Sequence, residues 1–76
     1  MILENIFGNR VKQLRINSGM SQPQLGEEIG LSKQAINDIE KGRRQTTLEK
    51  AIAIAKLFNT TVEYLCGETD NPDRLF

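Results

Sequence analysis

The chain has no histidine, a single cysteine and no long hydrophobic run. One cysteine, Cys66, cannot form an internal disulfide. A membrane-spanning helix needs about 18 consecutive apolar residues, and no stretch of the chain approaches that length. The N-terminal residues also lack the basic-then-apolar order of a signal peptide. These absences favour a cytoplasmic location.

The missing histidine also weakens an enzymatic interpretation, because general acid–base catalysis would then depend on carboxylates or lysines. Glu27 and Glu28 are neighbours, and a helix would point them in different directions. Cys66 lacks the companions of a metal cluster and the partner of a nucleophile, so we interpret it as a small apolar residue at a helix end. No glycine-rich phosphate loop is present. The sequence predicts a protein that is not an enzyme and holds no metal or other cofactor.

Charge is unevenly distributed along the chain although its net value is zero. Residues 5–44 contain seven Lys or Arg and four Asp or Glu, whereas residues 59–76 contain one and four. The neutral net charge can therefore hide a basic face, which we expect to make a limited number of contacts with a polyanion. At 76 residues the chain has the length of one small domain.

Two short apolar stripes flank Gly30. Leu25 and Ile29 are four residues apart and share one helical face, and Ile36 and Ile39 are three apart and share another. Glycine between them can adopt the positive φ that often ends a helix, since it has no Cβ to clash. The spacing predicts two helices joined by a tight turn, a helix-turn-helix.

The remaining capping and turn residues predict an all-α fold with no strand. Its five helices are expected from about Leu3 to Asn17, Gln22 to Ile29, Lys33 to about Lys41, Thr46 or Thr47 to Phe58, and Thr60 or Thr61 to Gly67. The inward face of the fourth helix is predicted to consist of Leu48, Ile52, Ala55 and Phe58. Residues 1–67 are expected to form the domain, and residues 68–76 a short tail with little that could pack.

The stretch QPQLGEEIGLSKQAINDI resembles the helix-turn-helix of the phage repressor and Cro-like (XRE-type) family of DNA-binding regulators. RVKQLRINSGMS is similar to the family's first helix and turn, and IEKGRRQTTLEKAIAIAKLFNTTVEYLCG to its fourth and fifth helices. The resemblance covers about Phe7 to Gly67 without a gap. It implies a compact five-helix domain of a small transcriptional regulator, most simply a repressor, that binds double-stranded DNA without a cofactor.

In this family the second helix of the motif enters the major groove. Burying Ile36 and Ile39 leaves four side chains facing outward as candidates for base contacts: Lys33, Gln34, Asn37 and Asp38. Lysine can donate to guanine, Gln34 or Asn37 can pair with adenine N6 and N7, and Asp38 can accept from cytosine N4. The structural alternative is an ordinary polar surface.

The resemblance also implies contacts with the DNA backbone. Gln22 begins the second helix and is expected at a phosphate beside the helix's positive end. Phosphate contacts are further expected from Ser32, Lys41, Arg43 and Arg44, which flank the third helix. Their alternative interpretation is a solvated loop.

Two structural features follow from the same resemblance. Arg15 and Glu40 occupy positions that form an ion pair in many family members, joining the first helix to the end of the third. One domain covers too little DNA for tight selective binding, so a homodimer on an inverted-repeat operator is expected. Its candidate surface consists of Val62, Tyr64, Leu65, Cys66, Leu75 and Phe76, although Val62 and Leu65 could equally belong to the core.

A different function on the same fold stays open. The neutral net charge and acidic C-terminal segment would also suit an interaction module, antitoxin-like or coactivator-like, whose main partner is a regulatory protein. The outward polar residues of the third helix, with Arg43 and Arg44, favour DNA.

Overall fold

The structure is a computed structural model that describes residues 5–73. Its helices are α1 (Ile6–Asn17), α2 (Gln22–Ile29), α3 (Lys33–Glu40), α4 (Leu48–Leu57) and α5 (Val62–Leu65), and this part of the chain contains no strand. The five-helix, all-α prediction is confirmed. The predicted start of the first helix, about Leu3, lies outside the described residues. None of the helices is long and apolar enough to cross a membrane within the part described.

Local sequence fixes most helix starts. The Ser21 hydroxyl accepts from Gln24 N–H, the Gln24 side chain accepts from Ser21 N–H, and this capping box starts α2. Thr47 caps α4 by accepting from Lys50 N–H, so the alternative start at Thr46 is wrong. Thr61, and not Thr60, caps α5 in the same way.

Gly30 ends α2 as its spacing predicted. It has φ 78°, a left-handed conformation, and α3 begins three residues later at Lys33 after the cap residue Ser32. The α2–α3 pair is therefore a helix-turn-helix with a tight turn.

Every helix contributes one side chain with no solvent exposure to the centre of the fold. These residues are Val11, Leu25, Ile36, Ile54 and Leu65, in chain order from α1 to α5. Because α5 fills the base of this core, Leu65 cannot form part of a dimer surface, and its second interpretation as core is the correct one. The other expected surface residues Leu75 and Phe76 lie outside the described residues.

The predicted inward face of α4 is partly wrong. Leu48 is 69% exposed and Ile52 is 37% exposed, whereas Ala51, Ile54 and Ala55 are buried. Ala55 belongs to both stripes, so helical spacing alone permitted either one. The small side chains of Ala51 and Ala55 allow Ile54 to reach the core, which leaves a leucine and an isoleucine on the surface.

The first residues of the C-terminal tail are held against α1, contrary to expectation. The Arg10 guanidinium donates to the carbonyl oxygens of Tyr64 and Thr69, lies 2.9 Å from Asp70 Oδ1 and stacks 4.2 Å above the Tyr64 ring. The Thr60 hydroxyl donates to the Pro72 carbonyl. Side-chain composition did not predict this packing because backbone carbonyls accept three of these bonds.

Candidate nucleic-acid interface

The outer side of α3 carries the four predicted base-contacting residues. Ile36 and Ile39 are 0% and 2% exposed and hold the inner side against the core. Lys33 and Gln34 are exposed, and Asn37 and Asp38 are half-buried. The helix is therefore supported from beneath by apolar side chains and presents donors and acceptors on its free side.

Gln34 and Asp38 interact within this outer face. Gln34 Nε2 donates to Asp38 Oδ1 at 3.0 Å, a contact between residues four apart on one helix. The bond uses one amide hydrogen of Gln34 and leaves its second N–H and its oxygen for a partner outside the protein. The negative charge of Asp38 thereby orients a neighbouring side chain.

The ion pair expected between Arg15 and Glu40 is present. Arg15 Nε lies 2.6 Å from Glu40 Oε2, and Nη2 donates to Oε1 at 3.0 Å, so the pair is bidentate. The two side chains are 11% and 2% exposed. Arg15 also donates to the Met20 carbonyl at 2.9 Å, in the turn before α2. One buried cluster thus fixes α1, the start of α2 and the end of α3 relative to one another.

Gln22 joins this cluster through its side chain. Its Nε2 donates to Glu40 Oε1 at 3.1 Å and to Asn37 Oδ1 at 3.3 Å. The side-chain amide is therefore turned toward the protein. Gln22 itself lies in the positively polarised first turn of α2.

Sequence reasoning missed the contribution of α1 to this surface. A polar cleft of about 380 Å³ is lined by Asn5, Asn9, Lys12, Gln22, Asn37, Glu40 and Lys41. Asn5 caps α1 and donates from Nδ2 to the Glu40 carbonyl at 2.8 Å, which ties α1 to α3. Lys12 is exposed and adds a second cation beside Lys41. The spacing of Asn9 and Lys12, three apart on one face, was the signal available in the sequence.

The basic residues after α3 are solvent-exposed. Gly42, at φ 75°, reverses the chain after Lys41, and Arg43 and Arg44 follow it on the surface. The ion pairs formed within residues 5–73 use Arg10 and Arg15. The cations that surround α3 are thus not neutralised by ion pairs in that part of the chain.

The predicted phosphate contact Ser32 has a structural role as well. Its Oγ accepts from Ala35 N–H at 3.1 Å and caps α3. A hydroxyl that accepts in this way still has its own hydrogen to donate. Across residues 5–73 no cluster of His, Cys, Asp or Glu is arranged to hold a metal ion, and Cys66 is exposed.

The arrangement places this chain in a known class. A family model described as helix-turn-helix matches residues 11–65, and the chain belongs to that family. The resemblance to phage repressor and Cro-like regulators is thereby confirmed.

Similar proteins agree with this assignment. The uncharacterized HTH-type transcriptional regulator YgzD of Bacillus subtilis is 42% identical over 55 residues, which cover 72% of this chain and 83% of YgzD. The uncharacterized HTH-type transcriptional regulator YobD of the same organism is 32% identical over 68 residues, 90% of this chain. The match spans 61% of YobD's own length. The P22 c2 repressor, solved in complex with a synthetic operator, has a TM-score of 0.75 and 27% identity, with 79% of this chain and 91% of that one covered. The chain is a helix-turn-helix domain of the kind found in DNA-binding transcriptional regulators.

Proposed function

We propose that this chain represses transcription by binding an inverted-repeat operator in double-stranded DNA as a homodimer. In each half-site α3 lies in the major groove and presents Lys33, Gln34, Asn37 and Asp38 to base edges. The observation that carries this proposal is the outer face of α3, polar and free, on a helix locked by Ile36 and Ile39. An α-helix fits the major groove, where each base pair offers a distinct set of donors and acceptors.

Backbone contacts would then come from both ends of α3. Lys41, Arg43 and Arg44 are exposed after its C-terminus, and the Ser32 hydroxyl lies at its N-terminus. Gln22 would contribute through the first turn of α2. Such contacts position the domain without reading sequence, and they make affinity depend on salt concentration.

Selection of bound duplexes from a random pool tests the proposal, combined with salt titration of the bound sequences. The expected motif is an inverted repeat. Lys33→Ala or Gln34→Ala should each relax preference at one base pair per half-site by roughly tenfold, the effect of losing one base contact. Arg43→Ala should instead weaken binding to all sequences and lower the slope of log affinity against log salt by about 0.9 on a single half-site and by about 1.8 on the inverted repeat, one phosphate contact for each subunit.

Lys56→Ala is the matched control, because Lys56 is an exposed cation in the last turn of α4 and is not among the residues proposed to contact DNA. Its salt slope should equal that of the parent protein. Binding that has neither sequence preference nor salt dependence would contradict the DNA assignment and favour the protein-interaction module.

The proposed dimer needs a self-complementary surface, and exposed apolar side chains on α4 support its placement there. Leu48 and Ile52 are 69% and 37% exposed, lie four residues apart and therefore share one face. Leu48 also lines an open groove of about 510 Å³ together with Ala51, Val62 and Cys66. A second copy laid across this face would cover both side chains.

Leu48→Ser should shift the protein toward monomer in sedimentation and weaken binding to the inverted repeat more than to a single half-site. Leu57→Ser makes the same chemical change on the opposite side of α4, at a residue that is 37% exposed, and should leave the dimer intact. A parent protein that is monomeric both free and on operator DNA would refute the dimer.

A further inference from the structure

We propose that Asn37 reads a keto base, guanine or thymine, because the buried Glu40 dictates through Gln22 which end of the Asn37 amide faces the DNA. Gln22 then acts as a positioning residue for specificity. The inference rests on the proposed function, since it assumes that α3 reads base edges.

Glu40 fixes the orientation of the Gln22 amide. Glu40 is 2% exposed, and both its carboxylate oxygens already accept from Arg15. An ionised carboxylate can only accept hydrogen bonds. The Gln22 amide atom 3.1 Å from Glu40 Oε1 must therefore be the nitrogen, because an oxygen there would place two acceptors together without a proton.

Gln22 in turn fixes the orientation of the Asn37 amide. Gln22 Nε2 has two hydrogens, and the one not used by Glu40 is directed to an Asn37 amide atom at 3.3 Å. A donor faces that atom, so it must be the oxygen Oδ1. The Asn37 nitrogen is then the other end of the amide, and within residues 5–73 it has no hydrogen-bond partner of its own.

The base preference of Asn37 depends on which of its amide groups faces the DNA. An asparagine that pairs with adenine presents its oxygen and nitrogen side by side to N6 and N7. In this protein the hydrogen bond from Gln22 turns the Asn37 oxygen toward α2, so the oxygen and nitrogen do not both face one base. The end of the amide directed to DNA is then the Nδ2 donor. Guanine and thymine present acceptors O6 and O4 in the major groove, whereas adenine and cytosine present exocyclic amines. Adenine N7 is also an acceptor, but a donor aimed at the exocyclic group meets an oxygen in guanine or thymine and an amine in adenine or cytosine. At that position a donor therefore selects keto over amino bases.

Gln34 differs from Asn37 in the groups that it can present to a base, although the sequence left the two as equal candidates for adenine. Gln34 gives one amide hydrogen to Asp38 and keeps its oxygen and second N–H. Gln34 can therefore present an oxygen and an N–H side by side to adenine, whereas the bond from Gln22 turns the Asn37 oxygen out of that arrangement.

Selection of duplexes with three variants tests the inference. Asn37→Asp keeps an oxygen for Gln22 and presents a second acceptor to DNA. The preferred base on the contacted strand should therefore change from guanine or thymine to adenine or cytosine. Gln22→Leu removes the donor and lets the Asn37 amide turn, and discrimination against adenine there should fall about 3- to 10-fold, the effect of one hydrogen bond. Gln13→Leu is the matched control at an exposed glutamine of α1 and should leave the motif unchanged.

The outcomes distinguish this inference from the proposed function. A parent protein that selects no motif would refute the proposed function and the inference together. If the parent protein selects an inverted repeat and Asn37→Asp keeps the same base at every position, DNA reading stands and the role of Asn37 is refuted. If Gln22→Leu is folded by circular dichroism but its motif equals that of the parent protein, the control by Gln22 is refuted. Should that variant not fold, Asn37→Asp decides alone, because it retains the Gln22 contact.

Discussion

Replacing Glu40 with alanine is expected to destabilise the protein by roughly 3 to 5 kcal/mol, the usual loss when one partner of a buried ion pair is removed. Arg15 would keep its charge at an 11% exposed site, and Gln22 would lose one of the two acceptors of its amide. For a domain of this size each kcal/mol lowers the melting temperature by about 4 to 8 °C. Thermal unfolding followed by circular dichroism should therefore detect a fall of at least roughly 12 °C. DNA binding should weaken as well, measured below the new melting temperature, because the cluster orients α3.

Two further variants isolate the cause. Glu28→Ala removes an exposed carboxylate from α2 and should change stability by no more than about 0.5 kcal/mol. Arg15→Met combined with Glu40→Leu removes both charges and should recover much of the stability, since a buried pair exchanged for apolar side chains of similar volume is often neutral. An unchanged melting temperature in Glu40→Ala would show that the pair is not needed for stability, and an unchanged DNA affinity would show that it is not needed to orient α3.

Gly8→Ala is expected to give the second-largest loss of stability. A Cβ at this position would overlap the carbonyl oxygen of Ile39, a backbone atom that cannot turn away, and would also crowd the Asn5 side chain. Overpacking of this kind costs about 3 kcal/mol at the upper end of its usual range. Alanine recovers roughly 1 kcal/mol in helix propensity, so the net loss should be about 2 kcal/mol. Urea unfolding measures it as a lower midpoint at unchanged slope.

Asn9→Ala, at the next residue of the same helix, is the control for Gly8→Ala. Asn9 is exposed, so Asn9→Ala gains helix propensity without meeting a neighbour and should be neutral or slightly stabilising. Equal urea midpoints for Gly8→Ala and Asn9→Ala would show that α1 and α3 can move apart without loss of stability. That result would contradict the close approach at Gly8.

The sequence predicted features whose causes are local. The capping box at Ser21, the turn at Gly30 and the outward face of α3 each depend on residues within one or two helical turns, and the structure has all three. The inward face of α4 was only partly predictable, because two stripes shared Ala55 and the choice between them depends on what packs against the helix.

The candidate site likewise has features that the sequence predicts and features that it does not. Which α3 side chains face outward follows from helical period, but how they are oriented does not. The hydrogen bonds of Gln22 reach 15 and 18 residues along the chain, to Asn37 and Glu40, and exist only once α2 and α3 have packed. The Arg10 contacts with the tail span 54 to 60 residues and gave no signal in composition or spacing.

The two side-chain hydrogen bonds of the outer α3 residues behave differently if the helix is grafted onto another scaffold. Gln34 and Asp38 travel together because both belong to the transplanted segment. The orientation of the Asn37 amide is not transferred, because the donor that fixes it, Gln22 Nε2, belongs to α2. If α3 reads base edges as proposed, recoding the operator preference of a related protein with these side chains requires transferring Gln22 together with α3.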